Sequence, residues 1–76
     1  MKRTPQEVAN FLGKYIAQDG DGKWFQYDVE PEYADLDDEC WLVAPHCLYS
    51  RLTFVSIDYV GTWMDSLTLP KEIIIR

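Results

Sequence analysis

The sequence predicts an α+β fold in which an N-terminal helix packs on a small antiparallel sheet of three to four strands. A capped amphipathic segment near the N terminus, two later stretches of alternating apolar residues and the turn-forming residues between them support this prediction. Because 76 residues suffice for one small core, we expect a single domain over residues 1–76.

The helix begins at a strong N-terminal signal. Thr4 can cap it, Pro5 suits the first helical position, and Glu7 can complete a capping box. We expect the helix to end near Gln18, with Gly13 marking a close approach to the sheet. One apolar stripe follows at helical spacing, formed by Val8, Phe11, Leu12, Tyr15 and Ile16.

Strands are predicted where apolar residues alternate or cluster. Residues 23–29 alternate, with Phe25, Tyr27 and Val29 on one face, and Pro31 ends this strand. Residues 40–44 and 52–60 give two more strands, and the β-branched run in 71–76 gives an edge strand. The acidic segment 30–39 connects them, and we expect Tyr33 and Leu36 to pin it to the body.

The stretch DGDGKWFQYDVE, residues 19–30, begins like a calcium-binding loop. Asp19, Asp21 and Glu30 match the first, third and twelfth positions of such a loop. Lys23 stands where an oxygen ligand is required, however, and Trp24 stands where the loop needs glycine. The Asp-Gly pairs therefore predict a turn between a helix and a strand, and no metal is expected.

Cys40, His46 and Cys47 are the residues whose chemistry could support a zinc or thiol site. A structural zinc site needs four ligands, commonly in closely spaced pairs, and the chain lacks that pattern. No oxyanion loop or glycine-rich nucleophile turn accompanies the cysteines, and no phosphate-binding glycine loop is present. We therefore expect no enzymatic activity and no cofactor. We also expect two free thiols, with a Cys40–Cys47 disulfide across a hairpin as the alternative.

Composition and charge restrict the functional classes further. The chain is too apolar for disorder and contains neither a signal-peptide pattern nor a membrane-spanning run, so we expect a soluble cytoplasmic protein. The net charge is −6, and residues 24–48 contain seven acids and no Lys or Arg, a local charge of −7. This concentration of negative charge disfavours direct binding to nucleic acid or to an anionic membrane.

The acidic segment is interleaved with aromatic residues, which predicts a surface that binds a basic surface of another protein. One form of this prediction is nucleic-acid mimicry, in which carboxylates replace phosphates. The alternative is a solubilising loop over an aromatic core. The predicted partner-binding residues are Asp28, Glu30, Glu32, Tyr33, Asp35, Asp37, Asp38, Glu39 and Trp41.

Two motifs in this chain resemble those of small uncharacterised phage and prophage proteins. The first falls on Asp19, Asp21, Gly22, Trp24, Tyr27 and Pro31, and the second on Trp63, Asp65, Ser66 and Leu67. The resemblance implies a phage-type protein in the host cytoplasm. Such a protein would inhibit or modulate a host protein, for example one that binds nucleic acid, by stoichiometric binding. The alternative function is a self-associating accessory domain, a possible homodimer through the apolar edge at Ile73–Ile75 and the outward-facing Phe54.

Overall fold

The computed structural model describes residues 2–71 and has the predicted α+β architecture, with one N-terminal helix, a three-stranded antiparallel sheet and two small sheets. In chain order the elements are β1 (Lys2–Arg3), α1 (Pro5–Leu12), β2 (Tyr15–Gln18), β3 (Trp24–Tyr27), β4 (Tyr33–Asp35), β5 (Cys40–Leu42), β6 (Tyr49–Arg51), β7 (Ser56–Ile57) and a 3₁₀ turn (Trp63–Asp65).

The helix begins as predicted and ends earlier than predicted. The Thr4 hydroxyl accepts a hydrogen bond from the Glu7 N–H at 3.2 Å, and the Glu7 carboxylate accepts one from the Thr4 N–H at 3.0 Å. Gly13 adopts a left-handed conformation with φ 66° and ends the helix after Leu12, so the predicted end near Gln18 is wrong. The predicted close approach at Gly13 is also wrong, because within residues 2–71 no atom beyond Gly13 and its chain neighbours lies within 4 Å of a Cβ built there.

The residues after Gly13 form the first strand of the central sheet, whose order is β2-β3-β6. Both pairings are antiparallel, with Ile16 opposite Gln26 and Gln26 opposite Ser50. Ile16 and Trp24 lie on one face of this sheet, where they pack with the helix. The buried core cluster consists of Val8, Ala9, Ile16, Trp24 and Leu52.

The outer edge of β2 is closed by the segment that contains the second motif. Ile16 and Thr68 exchange two backbone hydrogen bonds, of 3.0 and 2.8 Å. Ser66 is 1 % exposed, and its hydroxyl accepts a hydrogen bond from the Gln18 N–H at 2.7 Å. The serine of the motif therefore has a structural role at this sheet edge.

Later parts of the chain agree only in part with the predicted strands. The strand predicted at 40–44 is present as β5, and the one predicted at 23–29 is present as β3. A continuous strand over 52–60 is wrong, because β6 precedes that range and only β7 lies within it. β7 pairs in parallel with β1, placing Arg3 beside Ile57. The strand predicted at 71–76 lies outside the described residues, apart from Lys71.

The Asp-Gly segment is a turn, as predicted, but it joins β2 to β3 rather than a helix to a strand. The Asp19 N–H donates to the Lys23 carbonyl at 2.9 Å, and Gly22 supplies the positive φ of 92° that the turn requires. The Asp21 carboxylate accepts a hydrogen bond from the Lys23 N–H at 3.0 Å.

Among residues 2–71 no helix is both long and apolar enough to cross a membrane.

Candidate protein-binding surface

Most of the predicted partner-binding residues lie on one β-hairpin, which we call the acidic hairpin and define as residues 33–42. It consists of β4, a turn at 36–39 and β5, with Tyr33 opposite Leu42 and Asp35 opposite Cys40. The Asp35 carboxylate shapes the turn by accepting hydrogen bonds from the N–H groups of Asp37 and Asp38, at 3.0 and 3.4 Å. Asp35 therefore stabilises the hairpin itself.

Trp41 attaches the acidic hairpin to the central sheet. Its indole N–H donates to the Gln18 carbonyl at 3.1 Å, and its backbone N–H donates to the Asp19 carboxylate at 3.3 Å. Its ring meets Trp63 edge to face, with 6.3 Å between the ring centroids. The sequence predicts Trp41 as a partner-binding residue, and the structure places it half-buried on β5, where the hairpin meets the central sheet.

Gly20 and Glu39 form a second attachment, between the β2–β3 turn and the hairpin turn. The Gly20 N–H donates to the Glu39 carbonyl at 2.8 Å. A Cβ built on Gly20 would lie 2.5 Å from the Glu39 Cβ, so the two turns approach at a distance that only glycine allows. Glu39 has φ 54°, a left-handed conformation that is uncommon for residues other than glycine.

The carboxylates on and before the hairpin are largely exposed, and most have no ion-pair partner in the described part of the chain. Asp28 forms an ion pair with Lys14. Within residues 2–71 the other ion pairs are Arg3–Glu7 and Lys23–Asp21, so six of the seven clustered acids have no ion-pair partner in this part of the chain. Those six are Glu30, Glu32, Asp35, Asp37, Asp38 and Glu39.

Two apolar side chains are exposed among these carboxylates. Tyr33 on β4 is 56 % exposed, and Leu36 in the turn is 66 % exposed. The expectation that they pin the segment to the body is therefore wrong. Leu36 was not predicted as a binding residue. The sequence does contain a signal for it, because Asp35, Asp37 and Asp38 favour a tight turn that leaves the intervening leucine no neighbouring element to pack against.

The electrostatics around Cys40, which lies next to the hairpin turn, disfavour a reactive thiolate. Burial raises the pKa of the Cys40 thiol, and the negative charges of Asp19, Asp35 and Asp38 raise it further. Burial also raises the pKa of Asp19, against the opposing effect of the Trp41 N–H. Because nucleophilic cysteines need a lowered pKa, Cys40 has the opposite electrostatic environment.

The other residues considered for zinc or thiol chemistry are not assembled into a site in the part of the chain that the structure describes. Cys40 and Cys47 are free thiols, as predicted. His46 lies in a turn with φ 74°. Residues 2–71 contain no group of three or more His, Cys, Asp and Glu side chains arranged to hold a metal ion.

An open groove of about 600 Å³ lies on the helix side of the molecule. The helix residues Val8 and Phe11 line it together with Phe54 and Val55, and none of the acidic hairpin residues contributes. The groove is therefore separate from the candidate surface.

Comparison of the chain with models of protein families, with curated proteins and with solved structures gives no match. The similarity of its two motifs to those of small phage proteins therefore stays a prediction.

Proposed function

We propose that this protein acts by stoichiometric binding to a basic surface of another protein, with the acidic hairpin as the contact. The observation that carries the proposal is the combination of six carboxylates without an ion pair within residues 2–71, four on the anchored hairpin and two just before it, with two exposed apolar side chains on the same hairpin. The proposed contact residues are Glu30, Glu32, Tyr33, Leu36, Asp37, Asp38 and Glu39.

The two kinds of side chain have different roles in such a contact. Exposed carboxylates accelerate encounter with a positive surface and fix orientation, but each exposed charge pair contributes only about 0.2–1 kcal/mol. Burying an exposed leucine completely contributes about 1.5–3 kcal/mol, and Leu36 is 66 % exposed and can bury that surface against a partner. Leu36 therefore contributes more than any single carboxylate, and the carboxylates act through their number.

The proposed partner class follows from the charge. Proteins that bind nucleic acid present Lys and Arg surfaces that match phosphate, and clustered carboxylates suit the same surfaces. With the resemblance to phage proteins, this supports a host nucleic-acid-binding protein as the partner and inhibition or modulation as the outcome. The hairpin would then occupy the site that the nucleic acid uses.

The proposal is tested with a displayed library of twelve-residue peptides selected on the immobilised protein. Counter-selection uses a variant with Glu32→Gln, Asp37→Asn and Asp38→Asn, which leaves Asp35 in place because it shapes the turn. We expect the selected peptides to be rich in Lys and Arg, to contain an apolar residue, and to shift the backbone NMR signals of residues 32–39. Affinity falls as salt concentration rises.

A separate variant tests the apolar anchor. Two thirds of the value for burying a leucine is about 1–2 kcal/mol, so Leu36→Ala weakens the selected peptides roughly 5- to 30-fold. Selected peptides without a basic bias, or binding that maps away from residues 32–39, would contradict the proposal. That outcome would favour the solubilising role for the acidic segment.

A further inference from the structure

Within residues 2–71 the central sheet has one closed edge and one open edge. At the β2 edge, Ile16 bonds to Thr68 and the Gln18 N–H bonds to the Ser66 hydroxyl. At the other edge lies β6, all three of whose residues are exposed. In the described range, 2–71, β6 pairs with β3 alone.

The register determines which backbone groups of β6 face outward. The Leu52 N–H donates to the Trp24 carbonyl at 2.8 Å, and the Asp28 N–H donates to the Leu48 carbonyl at 3.1 Å. In an antiparallel pair, successive residues alternate between facing the partner strand and facing away. The N–H and C=O groups of Tyr49 and Arg51 therefore point away from β3, where a further strand can bond to them.

We propose that β6 pairs with β6 of a second copy of this chain, antiparallel about a twofold axis through Ser50. In this register Tyr49 exchanges both backbone hydrogen bonds with Arg51 of the second copy, and Arg51 does so with its Tyr49. Four intermolecular hydrogen bonds form, and the two Ser50 residues meet as a non-hydrogen-bonded pair. The inference is independent of the acidic hairpin, and differs from self-association through Ile73–Ile75, which lies outside the described residues.

The side chains of β6 suit this register. Tyr49 is 60 % exposed and stacks on Tyr27 with 5.9 Å between the ring centroids, which holds its ring in place at the edge. Arg51 is exposed and forms no ion pair within residues 2–71. Across the twofold axis the guanidinium of Arg51 faces the ring of Tyr49, a favourable cation–π pairing.

Alternative registers are less favourable. A shift that centres the axis on Arg51 places two like charges directly opposite, and one that centres it on Tyr49 takes Arg51 beyond the partner strand. The net charge of −6 opposes association only weakly here, because the acidic hairpin attaches at β2, the opposite edge of the sheet.

Cysteine cross-linking tests the register directly. In a Cys40→Ser, Cys47→Ser background, Ser50→Cys brings two thiols together across a pair whose Cα atoms are about 4.5 Å apart, within the range for a disulfide. Thr53→Cys is the matched control, since it is also exposed, and at about 3.4 Å per residue its two copies would lie roughly 20 Å apart. Under mild oxidation we expect a disulfide dimer from Ser50→Cys and monomer from Thr53→Cys. Equal cross-linking of both variants, or of neither, would overturn the proposal.

Charge exchange provides a second, independent readout by sedimentation equilibrium. Tyr49→Lys places an ammonium group opposite Arg51 of the second copy and shifts the protein towards monomer. Adding Arg51→Glu makes the facing pairs oppositely charged and restores the dimer, with circular dichroism checking that each variant is folded. A wild-type protein that stays monomeric at every concentration, or a double variant no more dimeric than Tyr49→Lys, would refute the pairing.

Discussion

The contact between Gly20 and Glu39 supports a specific prediction about what holds the acidic hairpin in place. Gly20→Ala adds a methyl group 2.5 Å from the Glu39 Cβ, well inside van der Waals contact. Gly20 lacks the positive φ that a side chain would strain, so the clash is the main penalty. The substitution should therefore lower the stability of the native state.

The magnitude follows from two opposing contributions. Overpacking by a methyl group destabilises the native state by about 1–3 kcal/mol. Replacing glycine by alanine also lowers the entropy of the unfolded chain, which stabilises the native state by about 0.4–1 kcal/mol. We expect Gly20→Ala to lower the free energy of unfolding by about 0.5–2 kcal/mol. In a Glu39→Gly background the clashing side chain is absent, and the same substitution should stabilise by about 0.4–1 kcal/mol.

Urea unfolding of the four proteins in this double-mutant cycle gives the coupling between the two positions. Tryptophan fluorescence is a suitable signal because Trp41 joins the hairpin to the central sheet. The midpoint is expected to change while the slope with denaturant concentration stays constant. The reasoning would be refuted if Gly20→Ala had the same effect in both backgrounds, because the cost would then not come from Glu39.

Three further predictions test other parts of the structure. Ser66→Ala leaves the Gln18 N–H without its acceptor and should lower the free energy of unfolding by about 1–3 kcal/mol; a neutral result in urea unfolding would contradict the closed β2 edge. Thr4→Ala removes the helix cap at a cost of about 1 kcal/mol. It should also raise the Glu7 pKa in part, because the backbone N–H at position 4 still lowers it but the Thr4 hydroxyl no longer donates to the carboxylate, and an unchanged NMR titration of Glu7 would count against the hydrogen bond from that hydroxyl. In a Cys47→Ser variant, alkylation of Cys40 should have a pH midpoint above that of the same variant in denaturing urea, and an equal or lower midpoint would contradict the burial of the thiol. Because the folded pKa is raised, this thiol contributes stability that is complete below its unfolded pKa and is lost as pH rises through the folded value.

The sequence was most informative where one local interaction decides the structure. The capping box at Thr4 and Glu7 specified the helix start, because both partners lie within one turn. The end of the helix was not predictable from periodicity. Ile16 continues the apolar stripe of the helix, but Gly13 ends the helix before it, and Ile16 is buried as part of β2. The spacing of Ile16 fits either a longer helix or a following strand. The helix cap at Gly13 decides between the two.

In the candidate site, too, local features were predictable from the sequence and long-range contacts were not. The charge of the acidic segment was visible in the sequence, and the structure gathers most of it on one hairpin. The role of Trp41 was not visible, because it depends on contacts with the distant residues Gln18 and Trp63. Leu36 lies among the aspartates of the turn and is exposed, so for this residue the local sequence does contain a signal.

Negative charge on the acidic hairpin is the central element of the proposed binding to a basic partner, and a matched pair of variants tests it most directly. Asp37→Asn with Asp38→Asn, and Glu7→Gln with Asp58→Asn, each remove two acids and change the net charge from −6 to −4. Glutamine at position 7 preserves the capping box. With a selected Lys- and Arg-rich peptide as the probe, the hairpin pair should raise the Kd roughly 2- to 30-fold, at about 0.2–1 kcal/mol per charge, and the helix-side pair should leave it unchanged. Equal effects of the two pairs would mean that the peptide senses only net charge, and the acidic hairpin would not be the binding surface.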